Sequence, residues 1–269
     1  MYIIKEFFGW WNWPNGVDYQ RDPAGSYSCQ HMLFVSSLVA IMIACAVVIG
    51  LLYRNKDYRK KDRVLQVTAI VLVTVEIFKI VILFCRVPNP DTLLHNLPLF
   101  LCNIQSIAIP VAAFAKGRVK NAALDFVLIF GILGALAGTY GAAQNYGSYP
   151  TICFDNTVSG LTHVIPGFCS LYIAISGMTS MKRRNLPITF AIMFFFCDIA
   201  AIVNELIDFN YMFLKQGDGT PYDLVYNAFK GNPILYSRGV IGLFVVYILV
   251  FYAVYFLIKS AINKKKELQ

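Results

Sequence analysis

Apolar residues run along this chain in seven blocks, each near the roughly 20 residues that an α-helix needs to cross a bilayer. The blocks fall near 31–53, 64–87, 96–115, 119–141, 157–180, 186–209 and 233–258. Polar connectors such as "RNKDYRKKDR" and "AKGRVK" separate them, and the longest connector, 210–232, is too short for a separate soluble domain. The pattern predicts an all-α polytopic membrane protein with seven transmembrane helices. It divides into an interfacial N-terminal segment over 1–30, a seven-helix transmembrane domain over 31–260 and a basic tail over 261–269. No internal repeat and no low-complexity tract interrupts this order.

Composition agrees. Of 269 residues, 58% are hydrophobic and only 14% charged, against about 25% charged in soluble domains. The formal charge of +8 would suggest nucleic acid in a soluble chain, but here its distribution is the informative part. Segments 54–63, 116–120, 182–184 and the C-terminal end hold sixteen Lys and Arg, all on one side of the predicted helices. The other side holds Lys5, Arg21, Arg86, Lys215 and Lys230. Positive residues accumulate on the cytoplasmic side, so the N-terminus is expected outside and the C-terminus in the cytoplasm. The expected location is the cell membrane, as a multi-pass protein with no nucleic-acid partner. The first 30 residues carry no long apolar core of a cleavable signal; Trp10, Trp11 and Trp13 suit an anchor in the outer interface.

Polar residues inside the spans narrow the question. "NLPLFLCNIQSIAIP", Asn96 to Pro110, places Cys102, Asn103, Gln105 and Ser106 inside the third span. At about 1.5 Å per residue, Cys102 and His163 each lie roughly 9 Å below the outer rim. Glu76 and Lys79 share a face of the second span three residues apart. Asp198, Asn204 and Glu205 follow on the sixth, with Asp208 at its end. All fall in the outer half of the bilayer, with Asp125 the main exception. Intramembrane ionisable residues face a bundle interior or a wet cavity, so the expectation is a polar cavity open to the outer leaflet.

The chemistry that fits such a cavity is a cysteine paired with a histidine. A thiol is a weak nucleophile until an imidazole or a cation favours its thiolate, and a third group orients the imidazole. Cys102 and His163 supply the pair. Asn103, Asn204 or Glu205 are candidates to orient, and Gln105 or backbone N–H groups freed by Pro98, Pro110 and Pro166 are candidates to hold an oxyanion. Asn103, Gln105, Glu76, Lys79, Asp198, Asn204 and Glu205 are the expected substrate-binding residues. The bland reading makes Glu76–Lys79 a register-fixing pair, His163 a hydrogen-bonded strut and the prolines simple kinks.

Other chemistries lack their signals. There is no phosphate-binding loop, HExxH or CxxC, so no cofactor and no metal site is expected. Gly131, Gly134, Gly138 and Gly141 line one smooth face of the fourth span, suited to close helix packing. Cys29, Cys85 and Cys153 lie near the outer face, where one disulfide can form, and their spacing does not choose a pair.

"LPLFLCNI", "LTHVIPGFCSLYIAISG" and "NELIDFNYMFLKQGDGTPYDLVYNAFKGNPILY" resemble the YwaF-like bacterial integral membrane proteins. More distantly, they resemble the eukaryotic transmembrane acyltransferases that remodel polyunsaturated ether phospholipids. The likeness covers roughly 64–255 and implies a lipid substrate and an acyl thioester on the helix cysteine, here Cys102, with His163 beside it. The leading expectation is therefore a membrane acyltransferase acting on an outer-leaflet lipid. A transporter or solute-binding protein, with Glu76, Lys79, Asp198 and Glu205 lining a pocket, is the rival. A seven-helix receptor or structural partner is the third reading, and the oligomeric state stays open.

Overall fold

A computed structural model describes residues 1–178 and 181–267, with side chains described through Ala261. The helices are α1 (Tyr2–Phe8), α2 (Cys29–Tyr53), α3 (Tyr58–Arg86), α4 (Pro90–Leu94), α5 (Gln105–Phe114), α6 (Gly117–Tyr140), α7 (Ala143–Ser148), α8 (Phe154–Ser176), α9 (Leu186–Ile207), α10 (Asp223–Ala228) and α11 (Pro233–Glu267). The expected end of the fifth span at 180 and the last two tail residues lie outside the described residues. So do the side chains of Lys264, Lys265 and Lys266. Two compact units result, Met1–Ser180 and Met181–Gln269, each described by itself.

Six helices among the described residues are long and apolar enough to cross a membrane. The seventh expected span, 96–115, is not one. Only its second half is helical, the ten residues Gln105–Phe114, and the first half winds through successive turns. Leu99 N–H bonds Leu97 C=O at 2.8 Å, Ile104 N–H bonds Phe100 C=O at 2.9 Å, and Gln105 N–H bonds Cys102 C=O at 3.2 Å. Pro98 biases Leu97 away from helical geometry, so a helix entered at Asn96 is disfavoured. Hydropathy counts apolar side chains and cannot see such a backbone bias. Irregular backbone at membrane depth survives only where protein covers it, and α5 packs against α3, α6 and α8.

In the first unit α6 is the core helix. Residues Ala123 to Gly131 are buried without interruption, so over these turns α6 is enclosed on all sides. It pairs most extensively with α8. A Cβ at Gly131 would stand 2.5 Å from Pro166 O and 2.9 Å from Ser170 Cβ, so only glycine permits this approach. Ser170 Oγ reinforces the contact by donating to Leu128 C=O at 2.6 Å. Behind them Val39, Met42, Ala135 and Val164 form an apolar cluster that brings in α2.

The N-terminal segment is folded onto the ends of α3 and α8. Phe7, Phe8 and Trp10 pack on Ile82, Phe154 and Val158. Trp11 donates its indole N–H to Glu6 at 2.7 Å, and Trp13 donates to Cys85 C=O at 2.8 Å, so two of the three tryptophans spend their polar atom on the protein. Glu6 also accepts from Gln20 N–H and from Arg21 N–H and Nε. Arg86, fully buried at the end of α3, bonds both oxygens of Asp155 at 2.9 Å. Tyr19 hydroxyl joins the same carboxylate. All seven cysteines are free; Cys153 instead accepts Asn156 N–H and caps α8.

Candidate functional site

Cys102 stands in the turn before α5, and His163 is just over two turns into α8. The structure brings them together: thiol and imidazole stand close enough to act on each other's charge, and both lie against the glycine face of α6. The ring nitrogen Nδ1 lies 2.6 Å from Ser159 C=O. A carbonyl only accepts, so Nδ1 carries the hydrogen and Nε2 keeps its lone pair for the sulfur. The orienting group is thus the main chain one turn earlier on the same helix, not Asn103, Asn204 or Glu205. Any helical histidine can reach back to its i−4 carbonyl, and since the partner is backbone no residue type announces it.

The sulfur has a second neighbour, Asn103 Oδ1, at 3.4 Å, and Asn103 C=O accepts from Ser106 Oγ at 2.7 Å. On α3, Lys79 and Glu76 form an ion pair at 2.5 Å. The Lys79 charge acts on both Cys102 and His163. A cation beside a sulfur is matched to a thiolate. Gln105, on the turn after Cys102, is fully buried.

Glycines of α6 form the floor under the pair. A Cβ at Gly138 would fall inside the His163 ring, whereas one at Gly134, a turn away, would meet Cys102 Cβ at 3.6 Å, an ordinary contact. The glycine face read from the sequence as a packing surface therefore has divided duties. Gly131 admits the α8 backbone, and Gly138 admits the imidazole. The spacing was visible in the sequence, but the ring that fills the gap was not.

The remaining expected residues belong to the second unit. Asn204 is buried with its amide occupied at both ends: Nδ2 donates to Tyr211 C=O at 3.0 Å, and Oδ1 accepts Tyr211 N–H at 2.6 Å. It clamps the chain reversal after α9. Asp198 and Glu205 are exposed on α9, and Asp208 pairs with Lys215 at 2.7 Å.

A search of curated proteins and of solved structures finds no match to this chain. A family model does match, from residue 26 to residue 263, which takes in the long helices up to the last turn of α11 and both members of the cysteine–histidine pair. Multi-pass helical architecture and this match lead to one conclusion: the chain belongs to the TMEM164 family.

Proposed function

We propose that the protein is a membrane-embedded acyltransferase that moves an acyl chain between lipids through a thioester on Cys102. The observation that carries this reading is the placement of Cys102 and His163 together on the glycine face of α6, with His163 Nδ1 already committed to Ser159 C=O. The sulfur then faces the one nitrogen able to take its proton. The likeness to ether-phospholipid acyltransferases supports a lipid ester as donor.

In the first half-reaction Nε2 takes the thiol proton and Sγ attacks the ester carbonyl carbon. The tetrahedral intermediate collapses by breaking the C–O bond, and the departing alkoxide receives the proton from His163. A thioester and a lyso-lipid result. In the second half an acceptor hydroxyl gives its proton to Nε2 and attacks the thioester carbonyl, releasing Cys102 thiolate, which recovers the proton. Asn103 assists either state, since its amide accepts from a thiol and, turned over, donates to a thiolate. Lys79 supplies a fixed positive charge. A site wrapped by α3, α6 and α8 limits water, which favours transfer over hydrolysis.

The test is incubation of purified protein with a phospholipid labelled in its acyl chain. A label on the protein that neutral hydroxylamine releases is expected, and it disappears in Cys102→Ser. If Cys102→Ser retains full transfer, the nucleophile is misassigned.

A further inference from the structure

Gln105 is the polar residue that the reaction above leaves unused, and its surroundings are unusual. It opens α5, and its backbone N–H closes a turn on Cys102 C=O. Its side chain is 0% exposed, yet neither Nε2 nor Oε1 has a partner among the described residues. The polar residues flanking it in the chain are engaged: Asn103 with Cys102, and Ser106 with Asn103 C=O. A buried amide with both ends unpaired forfeits its hydration and gains nothing for it, so an apolar side chain of the same shape would be the more stable choice. The position makes sense when a ligand supplies what the fold does not.

We infer that Gln105 is a specificity-determining residue that binds a lipid presenting an oxygen acceptor and a hydroxyl donor together. Nε2–H takes the carbonyl oxygen, and Oε1 takes the hydroxyl. In the acyl-transfer reading, on which the naming of this ligand rests, the hydroxyl is that of the acceptor lipid. A site that hydrogen-bonds a substrate hydroxyl rejects the analogue lacking it, because the amide is then left unpaired.

The test separates binding from chemistry by using the full-length Cys102→Ala protein in detergent micelles. The probes are 1-acyl-lysophosphatidylcholine and its 2-deoxy analogue, which differ only in the hydroxyl. Preference for the hydroxyl lipid by about tenfold is expected, of the size one buried hydrogen bond gives. Gln105→Met, and Gln105→Leu beside it, should abolish that preference and raise Tm, since each removes an unpaired buried amide. Equal binding of the two lipids before substitution, or a preference that survives either substitution, overturns the proposal. A lowered Tm overturns it too, by showing that the amide is paired within the fold. Failure of the acyl-transfer reading shows elsewhere, as the absence of an adduct on Cys102, and leaves this discrimination readable.

Discussion

His163 occupies the space that a side chain on Gly138 would need, whereas Gly134, one turn away on α6, meets Cys102 at ordinary contact distance. The two glycines therefore respond differently to the same methyl group. Gly138→Ala forces the imidazole off Nε2–sulfur alignment, or α6 off α8, at a cost of about 1–3 kcal/mol for overpacking. Misplacement of about 1 Å in a catalytic group costs on the order of 100-fold in rate, and a loss of that order in acyl transfer is expected. Gly134→Ala should retain transfer within a few-fold. Parallel melting curves and transfer assays check the pair, and equal effects at both positions would contradict the assigned geometry.

Arg86 is fully buried against Asp155, with Tyr19 on the same carboxylate. Removing one partner of a buried pair leaves a charge without compensation, which costs about 3–5 kcal/mol. Arg86→Leu should lower Tm markedly and release the N-terminal segment to limited proteolysis. Arg86→Leu with Asp155→Leu should recover much of the loss, because the stranded carboxylate is gone. If the double variant melts no higher than the single one, the ion pair is not what fastens the segment.

Glu6 sits under opposing influences. Burial raises its pKa, but donation from Arg21, Gln20 and Trp11 outweighs burial and holds it at about 2, below the usual 4.5. A depressed folded-state value contributes stability that is fully present above the unfolded value and is lost as pH falls through the folded one. The N-terminal segment should therefore loosen between about pH 4.5 and 2. Tryptophan fluorescence reads this directly, since Trp11 bonds the carboxylate. Glu6→Gln should flatten the transition in that window, and an unchanged acid profile would remove Glu6 as its cause.

Orientation is open to a direct measurement. The concentration of Lys and Arg on one side predicts an N-terminus outside. Cys85, exposed at the end of α3 that meets the N-terminal segment, should react with a membrane-impermeant maleimide on intact cells. A cysteine introduced at Asp57, between α2 and α3, should react only after permeabilisation. The opposite pattern would invert the topology.

Six of the seven expected spans correspond to long helices because each is an unbroken apolar run between charged connectors, and length with hydropathy suffices for that. The third failed because its first half is wound into turns rather than helix, and hydropathy does not register the backbone bias that Pro98 places on Leu97. Cys102 and His163 were matched by helical rise, yet Cys102 does not stand on a helix at all; the turns before α5 carry it to the depth at which α8 delivers His163. Three parts of the site lay beyond sequence reasoning for one shared reason. The Ser159 carbonyl, the vacancy over Gly138 and the turn at 102–105 are main-chain groups or missing atoms, and a one-letter code reports neither. Asn204 failed differently: its type suited a binding role, and only tertiary structure showed its amide given over to Tyr211.

The brevity of α5 has a consequence for what holds the sulfur in place. Ten residues of helix rise about 15 Å, half of a hydrocarbon slab near 30 Å thick, so α5 does not cross by itself, and the irregular chain before it carries amides that an oily surface will not tolerate. Packing must therefore shield this stretch, and Cys102 within it lies against Gly134 of α6. The reactive thiol thus rides on backbone that holds its shape through the packing around it rather than through a helical ladder of its own.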